Sequence, residues 1–273
     1  MACDILPPLF YTCLKKMNIV FVGSGNVASH LAKVFAAEGH HVAQIWSRDI
    51  RHACEAASAV GASATDRLDG IDLHADIYIV AVPDDRIGEV SGLMPEVEGV
   101  VLHTSGSVAM YTLKQDRCGV IWFPHTFIKG AEMKYDNLNC CYEGSSAEVV
   151  EKIEMLLEGS VAKSYKIDSE QRRWAHLASV VTNNFSHALN TLGERIMEQH
   201  GLDFAMLWPI IMETAERVKT PRLEERQTGP AARHDEKTLA AHKQMLSDNK
   251  DALKVYEVMS DLIQKFQKSS GSR

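Results

Sequence analysis

Four groups of residues in this chain have the types and spacing that chemistry needs. The first is Gly23-Ser24-Gly25-Asn26-Val27-Ala28, a G-x-G-x-x-A run. Where such a run follows a strand and opens a helix, it cradles the pyrophosphate of a dinucleotide. Gly23 permits the tight turn, Gly25 lets the backbone approach the phosphates, and Ala28 lets the helix pack close to the strand. Ser24, Asn26 and Val27 complete a turn whose free N–H groups face the ligand. The second group is Trp46-Ser47-Arg48. NAD enzymes place an Asp or Glu at this point to hold the ribose hydroxyls. Ser47 and Arg48 instead offer a hydroxyl and a guanidinium, which suit the 2′-phosphate of NADP(H). Asp49 comes one residue late and suits a helix cap. The plainer alternatives are a glycine turn that serves packing only and a solvated Arg48.

The third group lies where strands are expected to end. Val82-Pro83-Asp84 should bring backbone against the ribose side of the cofactor, because Pro83 turns the chain sharply. His103-Thr104-Ser105-Gly106-Ser107 follows the next apolar run and places Ser105 near the nicotinamide. Pro124-His125-Thr126 should reach the same place, with His125 a candidate acid/base and Thr126 a substrate contact.

The fourth group sits beyond residue 168. At ~100° per residue, His176, Asn183 and His187 share one stripe of a helix, with Asn184 beside it. Polar side chains on an otherwise apolar helix are costly unless satisfied, which argues for a lined cleft. Histidine titrates near neutral pH, so His176 or His187 could move a proton while Asn184 orients a substrate oxygen or nitrogen. Alternatively, these side chains bond backbone carbonyls between helices. Downstream, Arg233 could clamp a substrate carboxylate, with Thr228 and the Gly229 amide adding hydrogen bonds. An internal Arg233–Asp235 pair is the equal alternative. The twelve histidines do not imply a metal, because no helix carries two of them at ligand spacing with an acidic partner.

The elements that must position these groups follow a clear rhythm. From Met17, short apolar runs at 18–22, 42–46, 75–82, 100–103, 120–123, 139–142 and 162–167 alternate with helical patterns at 27–38, 50–60 and 146–157. That rhythm implies a parallel sheet with helices on both faces. After Asp168 no strand pattern follows. Residues 170–200 read as one long helix, buried on several sides, with Asp168 or Ser169 as its cap and Gly201 as its stop. Shorter helices follow at 203–218 and 236–266. The expected organisation is therefore a loose extension over 1–16, with Met17 a possible true start, a Rossmann domain over 17–167, and a helical substrate and dimerisation domain over 168–273.

Bulk composition narrows the class. The chain has 273 residues, 45% of them apolar, and a net charge of −7, with no Lys/Arg block. Nucleic-acid binding is disfavoured by that charge. The apolar run in the first sixteen residues is too short to span a bilayer, and its lysines follow rather than precede it, unlike a secretory signal. Six cysteines at 3, 13, 54, 118, 140 and 141 form no Cys-x-x-Cys pair, and reduced thiols in a cytoplasmic protein are the simplest reading.

The first half resembles the 6-phosphogluconate/β-hydroxyacid dehydrogenase and pyrroline-5-carboxylate reductase group in its IVFVGSGNVA opening, SRD after the second strand, and AVPDDRI. From about residue 17, the chain is more similar still to a bacterial family of NADP oxidoreductases with a Rossmann-like half and a C-terminal domain of unknown function. HTSGS (103–107), FPHTF (123–127), HLASVVTNNFSHAL (176–189) and QTGPAARHD (227–235) carry that match. The resemblance implies the fold, the NADP cofactor class and a homodimer built by the helical domain. It names no substrate. One departure matters: in β-hydroxyacid dehydrogenases the long helix carries a catalytic lysine four residues before an asparagine, and against Asn184 that position is Val180.

These readings converge on an NADP(H)-dependent oxidoreductase acting on a small carbonyl, imine or hydroxy-acid substrate. The rival is a non-catalytic NADP(H)-binding sensor, which Val180 motivates.

Overall fold

The computed structural model describes residues 16–130, 135 and 137–270, with 268–270 described for the backbone alone. The extension expected over 1–16 lies, apart from Lys16, outside the described residues.

The chain alternates as its apolar runs require. β1 (Asn18–Val22) leads through the glycine turn into α1 (Asn26–Ala37). β2 (His41–Trp46), α2 (Ile50–Ser58), β3 (Ser63–Thr65), β4 (Ile77–Val80), α3 (Ile87–Leu93) and β5 (Val100–His103) follow. β6 (Cys118–Trp122), β7 (Asn139–Gly144), α4 (Ala147–Leu157) and β8 (Lys163–Lys166) complete one eight-stranded sheet. Its order is β3-β2-β1-β4-β5-β6-β7-β8, so the order reverses between β1 and β4. That reversal is the switch point at which such sheets bind ligands.

Two apolar layers hold the sheet, and the period of two in each strand sorts residues between them. Ile19, Phe21, Ile77, Ile79, Leu102 and Ile121 face one layer, together with Leu31 and Phe35 of α1. Val20, Val22, Tyr78, Val80, Val101 and Val120 face the other, with Ile87 and Val90 of α3. All six central residues of each set are fully buried.

The sheet departs from the expected parallel pattern in two places. β7 runs antiparallel to β6, pairing Cys141 with Trp122. Among the described residues between 123 and 138 no crossover helix occurs, and β7 pairs antiparallel beside β6. β3 is only three residues long and half exposed, which left it without a sequence pattern.

After β8 the chain is helical: α5 (Ser169–Ser179), a π-helical stretch over Val180–Asn184, α6 (Phe185–Gln199), α7 (Trp208–Arg217), α8 (Glu236–Met245) and α9 (Lys250–Ser270). Asp168 caps α5 through a capping box with Gln171, while Ser169 turns its hydroxyl to Glu143. Gly201 stops the run with φ +69°. The last expected helix is two, α8 and α9, broken at 246–249.

The chain divides into two compact units, with the break between Thr182 and Asn183. Strands stop at Lys166, but the packing break comes one helix later because α5 belongs to the sheet unit. Arg172 explains why. Its side chain is fully buried and donates to Glu143 Oε2 of β7 at 2.6 Å and to the Val108 carbonyl at 2.5 Å. Within the second unit, His242 of α8 bonds the Tyr256 hydroxyl of α9 at 2.9 Å.

The long helix is not buried on several sides within this chain. Trp174 is 65% exposed, and Leu177, Val181, Phe185 and Leu189 are also open.

Candidate functional site

The glycine turn has the geometry a dinucleotide needs. Gly23 has φ +126°, and a Cβ there would stand 2.3 Å from the Ala81 carbonyl oxygen, so only glycine fits between β1 and the end of β4. A Cβ on Gly25 would meet nothing within 4 Å. Its open side is the cradle that a pyrophosphate requires. Gly25 caps α1 without any side-chain hydrogen bond, which leaves the first-turn amides for a ligand. Asn26 plays a different part from the one expected: its side-chain amide donates to the Phe127 carbonyl at 3.1 Å, so only its backbone is available to phosphate.

At the end of β2, Asp49 accepts from the Arg51 amide and caps α2. The Arg51 guanidinium beside it holds the Asp49 carboxyl down to about 2. Asp49 is thus occupied as a cap. Arg48 is exposed, and its guanidinium has no hydrogen bond or ion pair among the described residues. Ser47 is half-buried and follows directly on Trp46. These residues fit a 2′-phosphate rather than a free ribose diol.

The loops after β4 and β5 are tied together. Pro83 starts a short turn over Asp84–Arg86, beyond half-buried Val82. Ser107 donates to the Asp84 carboxylate at 2.5 Å. Ser105, expected at the cofactor, turns inward instead. Its hydroxyl oxygen accepts from the Ser107 and Val108 amides at 3.1 Å each, and its own amide donates to His103 Nδ1 at 3.2 Å. His103 is fully buried, and burial, with Arg172 nearby, holds its pKa down to about 4. It is a neutral structural imidazole. Ser107, Asp84 and Asp85 are exposed polar groups of this pair of loops.

The loop after β6 leans on α1. His30, buried on α1, bonds the Ile128 carbonyl at 2.9 Å and the Tyr135 hydroxyl at 3.1 Å. His125 is exposed and packs edge-on against Phe127. Desolvation, with His30 nearby, lowers its pKa. Thr126 is exposed on the same loop.

His176, on the last turn of α5, reaches the carboxyl end of the sheet. Its ring stands edge to face with Trp122, centroids 5.8 Å apart. Both rings close on Gly106, where a Cβ would stand 2.6 Å from His176 Cδ2 and 2.8 Å from Trp122 Nε1. The bare glycine lets the histidine, the indole and the loop after β5 meet. Trp122 was not singled out in the sequence, although its position as the last residue of an apolar strand, just before Phe123-Pro124-His125, was a usable signal.

The stripe of polar residues does not continue straight through the helix. Each π turn closes one residue later than an α turn, so side chains beyond 184 are rotated by roughly 100° from where a uniform helix would put them. The even spacing that placed His176, Asn183 and His187 on one stripe of a uniform helix is therefore interrupted at Val180–Asn184. Asn183, Asn184 and His187 are exposed at the start of the second unit. Counting by π turns, the position one turn before Asn184 falls between Ser179 and Val180, and neither side chain is a lysine.

In the second unit, Asp235 caps α8 by accepting from the Thr238 amide and hydroxyl, which lowers its pKa. It forms no ion pair with Arg233 among the described residues, and Arg233 is exposed. Thr228 is exposed as well, and Gly229 adopts φ +104°. Among the described residues, no cluster of three metal-ligating side chains occurs, and no helix is long and apolar enough to cross a membrane.

Comparison with known proteins agrees with this geometry. Residues 18–102 match the family described as NADP oxidoreductase, coenzyme F420-dependent, and residues 138–263 match a domain of unknown function, DUF2520. No curated protein matches the chain. A Bacteroides fragilis protein described as a candidate NADP oxidoreductase shares 31% identity, with 92% of this chain and 98% of that one covered and a TM-score of 0.84. A pyrroline-5-carboxylate reductase from Coxiella burnetii shares the fold at 15% identity and TM-score 0.58, covering 91% and 99%. A reductive aminase from Aspergillus terreus does so at 13% and 0.65, covering 93% and 95%. The chain belongs to the family of NADP oxidoreductases that join a Rossmann half to this helical C-terminal domain, and it is an NADP(H)-dependent oxidoreductase.

Proposed function

We propose that this protein interconverts a small carbonyl or imine compound and its reduced form, with His176 as the proton-transferring group. The observation that carries this reading is the placement of His176. Its imidazole is held against Gly106 and Trp122 at the carboxyl end of the sheet, and its ring nitrogens make no hydrogen bond among the described residues. NADPH, when bound, supplies the hydride. The developing charge on the substrate oxygen or nitrogen then needs a donor within ~3 Å. His103 is fully buried and neutral, which removes it as a donor, whereas His125 lies exposed on the loop after β6 and is the rival to His176. His176 is half-buried.

Gly23, Ser24, Gly25 and the amides of Asn26 and Val27 would hold the pyrophosphate, and Ser47 and Arg48 the 2′-phosphate. Val82, Pro83 and Asp84 would flank the ribose. Thr126 would be a further substrate contact, and the helical unit offers Asn183, Asn184, Thr228, Gly229 and Arg233 as polar groups of its own. The Coxiella reductase and the Aspergillus reductive aminase share this fold, and both names denote reduction at a carbon–nitrogen double bond, which favours an imine or carbonyl substrate. A homodimer formed through the helical unit completes the reading, because that unit exposes large apolar side chains. A cytoplasmic location suits the free thiols of Cys54, Cys118, Cys140 and Cys141.

The test is NADPH consumption against a panel of small ketones, oxo acids and cyclic imines. His176→Gln should lower turnover ~10²–10⁴-fold and leave NADPH binding intact. If His125→Gln alone abolishes turnover, the proton comes from the loop after β6. Binding of NADPH without turnover of any compound would favour a sensor.

A further inference from the structure

Two tryptophan side chains end strands of this sheet and are more than nine-tenths buried: Trp46 at 6% and Trp122 at 7% exposure. They treat their indole N–H groups differently. Trp46 donates to the Asp66 carbonyl at 3.1 Å. Trp122 Nε1 has no acceptor among the described residues. That N–H is not among the enclosed polar atoms of the described residues, so an otherwise buried indole leaves its one donor open to a ligand or to water.

Its surroundings point to a ligand. The indole lies at the carboxyl end of β6, the end from which ligands are bound. Its Nε1 edge packs on Gly106, where the missing side chain makes room for both the indole and the His176 ring. His176 stands beside it, also without a ring hydrogen bond among the described residues. Two unused polar groups thus meet at one place. The indole only donates, and it carries no charge at any working pH. A ligand atom opposite it must accept, so an ammonium group cannot sit there.

We propose that Trp122 is a substrate-reading residue: its indole N–H donates to a carbonyl or carboxylate oxygen of the substrate, next to the group served by His176. This rests on the oxidoreductase reading above and narrows it to substrates that present an acceptor oxygen. The role differs from that of His176. Trp122 fixes which atom faces the proton donor and moves no proton itself.

The experiment reads the indole directly. Protein carrying ¹⁵N-labelled tryptophan is saturated with NADP⁺, and its four indole N–H resonances are followed on adding acetate, acetone, pyruvate or isopropylammonium. The Trp122 signal is identified by its loss in Trp122→Phe or, in the wild-type protein, by its Overhauser contact with the His176 ring. It should move with at least one oxygen-bearing probe and stay still with isopropylammonium, while the Trp46 signal stays still throughout. Trp122→Phe, which keeps an aromatic ring, should weaken binding of that probe about three- to tenfold. The proposal is overturned if the Trp122 signal ignores all three oxygen probes, or if NADP⁺ alone moves it and the probes add nothing. NADPH consumption is measured separately. Turnover with a silent Trp122 signal removes this inference and leaves the oxidoreductase reading, whereas a responsive signal without turnover does the reverse.

Discussion

The sheet unit and the helical unit solve burial in opposite ways. In the sheet unit, Ile19, Phe21, Ile77, Leu102 and Ile121 are fully buried by neighbours in the same chain. In the helical unit, Ala231, Leu239 and Ala252 are the hydrophobic residues buried among those described, while Trp208 is 61% exposed and Met212 63%. Phe185, Ile210, Val258 and Phe266 are open as well. Exposed apolar surface on this scale marks an interaction site. The difference teaches that one unit covers its apolar residues within the chain and the other leaves them open.

Breaking the proposed dimer should therefore have the largest effect. Light scattering should give about twice 30.3 kDa for the wild-type protein. Ile210→Glu together with Phe185→Glu should yield a chain of half that mass, with much of the helical circular dichroism lost and the sheet unit still binding NADPH. A wild-type monomer, or a variant that keeps its mass, would count against this reading of the helical unit.

The complementary test attacks the unit that covers its own apolar residues. Arg172 is fully buried and its ion pair with Glu143 joins α5 to β7, with the Glu143 side chain only 17% exposed. Removing one member of a buried pair leaves an uncompensated charge, so Glu143→Gln should cost ~3–5 kcal/mol. Chemical denaturation should show that loss in the sheet transition. Breaking an exposed pair such as Arg67–Asp69 should change the sheet transition far less by the same measurement.

Acid should reach the sheet unit through His103. Its folded pKa of about 4 lies below the ordinary 6.5, so between those values the unfolded chain binds the proton and the folded one does not. The stability that His103 contributes is complete above 6.5 and is lost as pH falls toward 4. The slope is at most ~1.4 kcal/mol per pH unit, about 3 kcal/mol in all. His103→Asn, which keeps an acceptor for the Ser105 amide, should flatten the stability curve across that window. An unchanged slope would place the proton uptake elsewhere.

The same contrast explains what could be read in the sequence. Strands buried on both faces are continuous apolar runs, so β1, β4 and β5 stood out, and the glycine turn carried its own signature. β3 did not, because a short, half-exposed edge strand has no pattern. In the helical unit, apolar residues marked the helices but could not say what covers them, so the long helix read as buried. The π stretch over VVTNN was also invisible, since β-branched and polar residues at one helical turn have no distinctive spacing. That stretch interrupts the uniform helical spacing on which the stripe of His176, Asn183 and His187 was read. Trp122 escaped notice for a different reason: an indole at a strand end reads as core until the lack of an acceptor is seen.

Cofactor choice should show the smallest effect, and it lies wholly in the sheet unit. Arg48 is exposed and makes no ion pair among the described residues, whereas its neighbour Arg51 is held by Asp49 at 2.6 Å. The two arginines therefore form an internal control. A charge-assisted hydrogen bond to the 2′-phosphate contributes ~1.5–3 kcal/mol, so Arg48→Ala should weaken NADPH about ten- to a hundredfold. NADH lacks that phosphate, and its affinity should stay within about twofold. Arg51→Ala removes charge of the same sign from the same helix start, yet it should change NADPH affinity little, because that guanidinium already serves a carboxylate. Calorimetric titration of both variants with both cofactors separates the cases. Equal losses for NADPH and NADH in Arg48→Ala would mean that Arg48 supports the fold of the turn, and a larger NADPH loss in Arg51→Ala would move the phosphate one helical turn along α2.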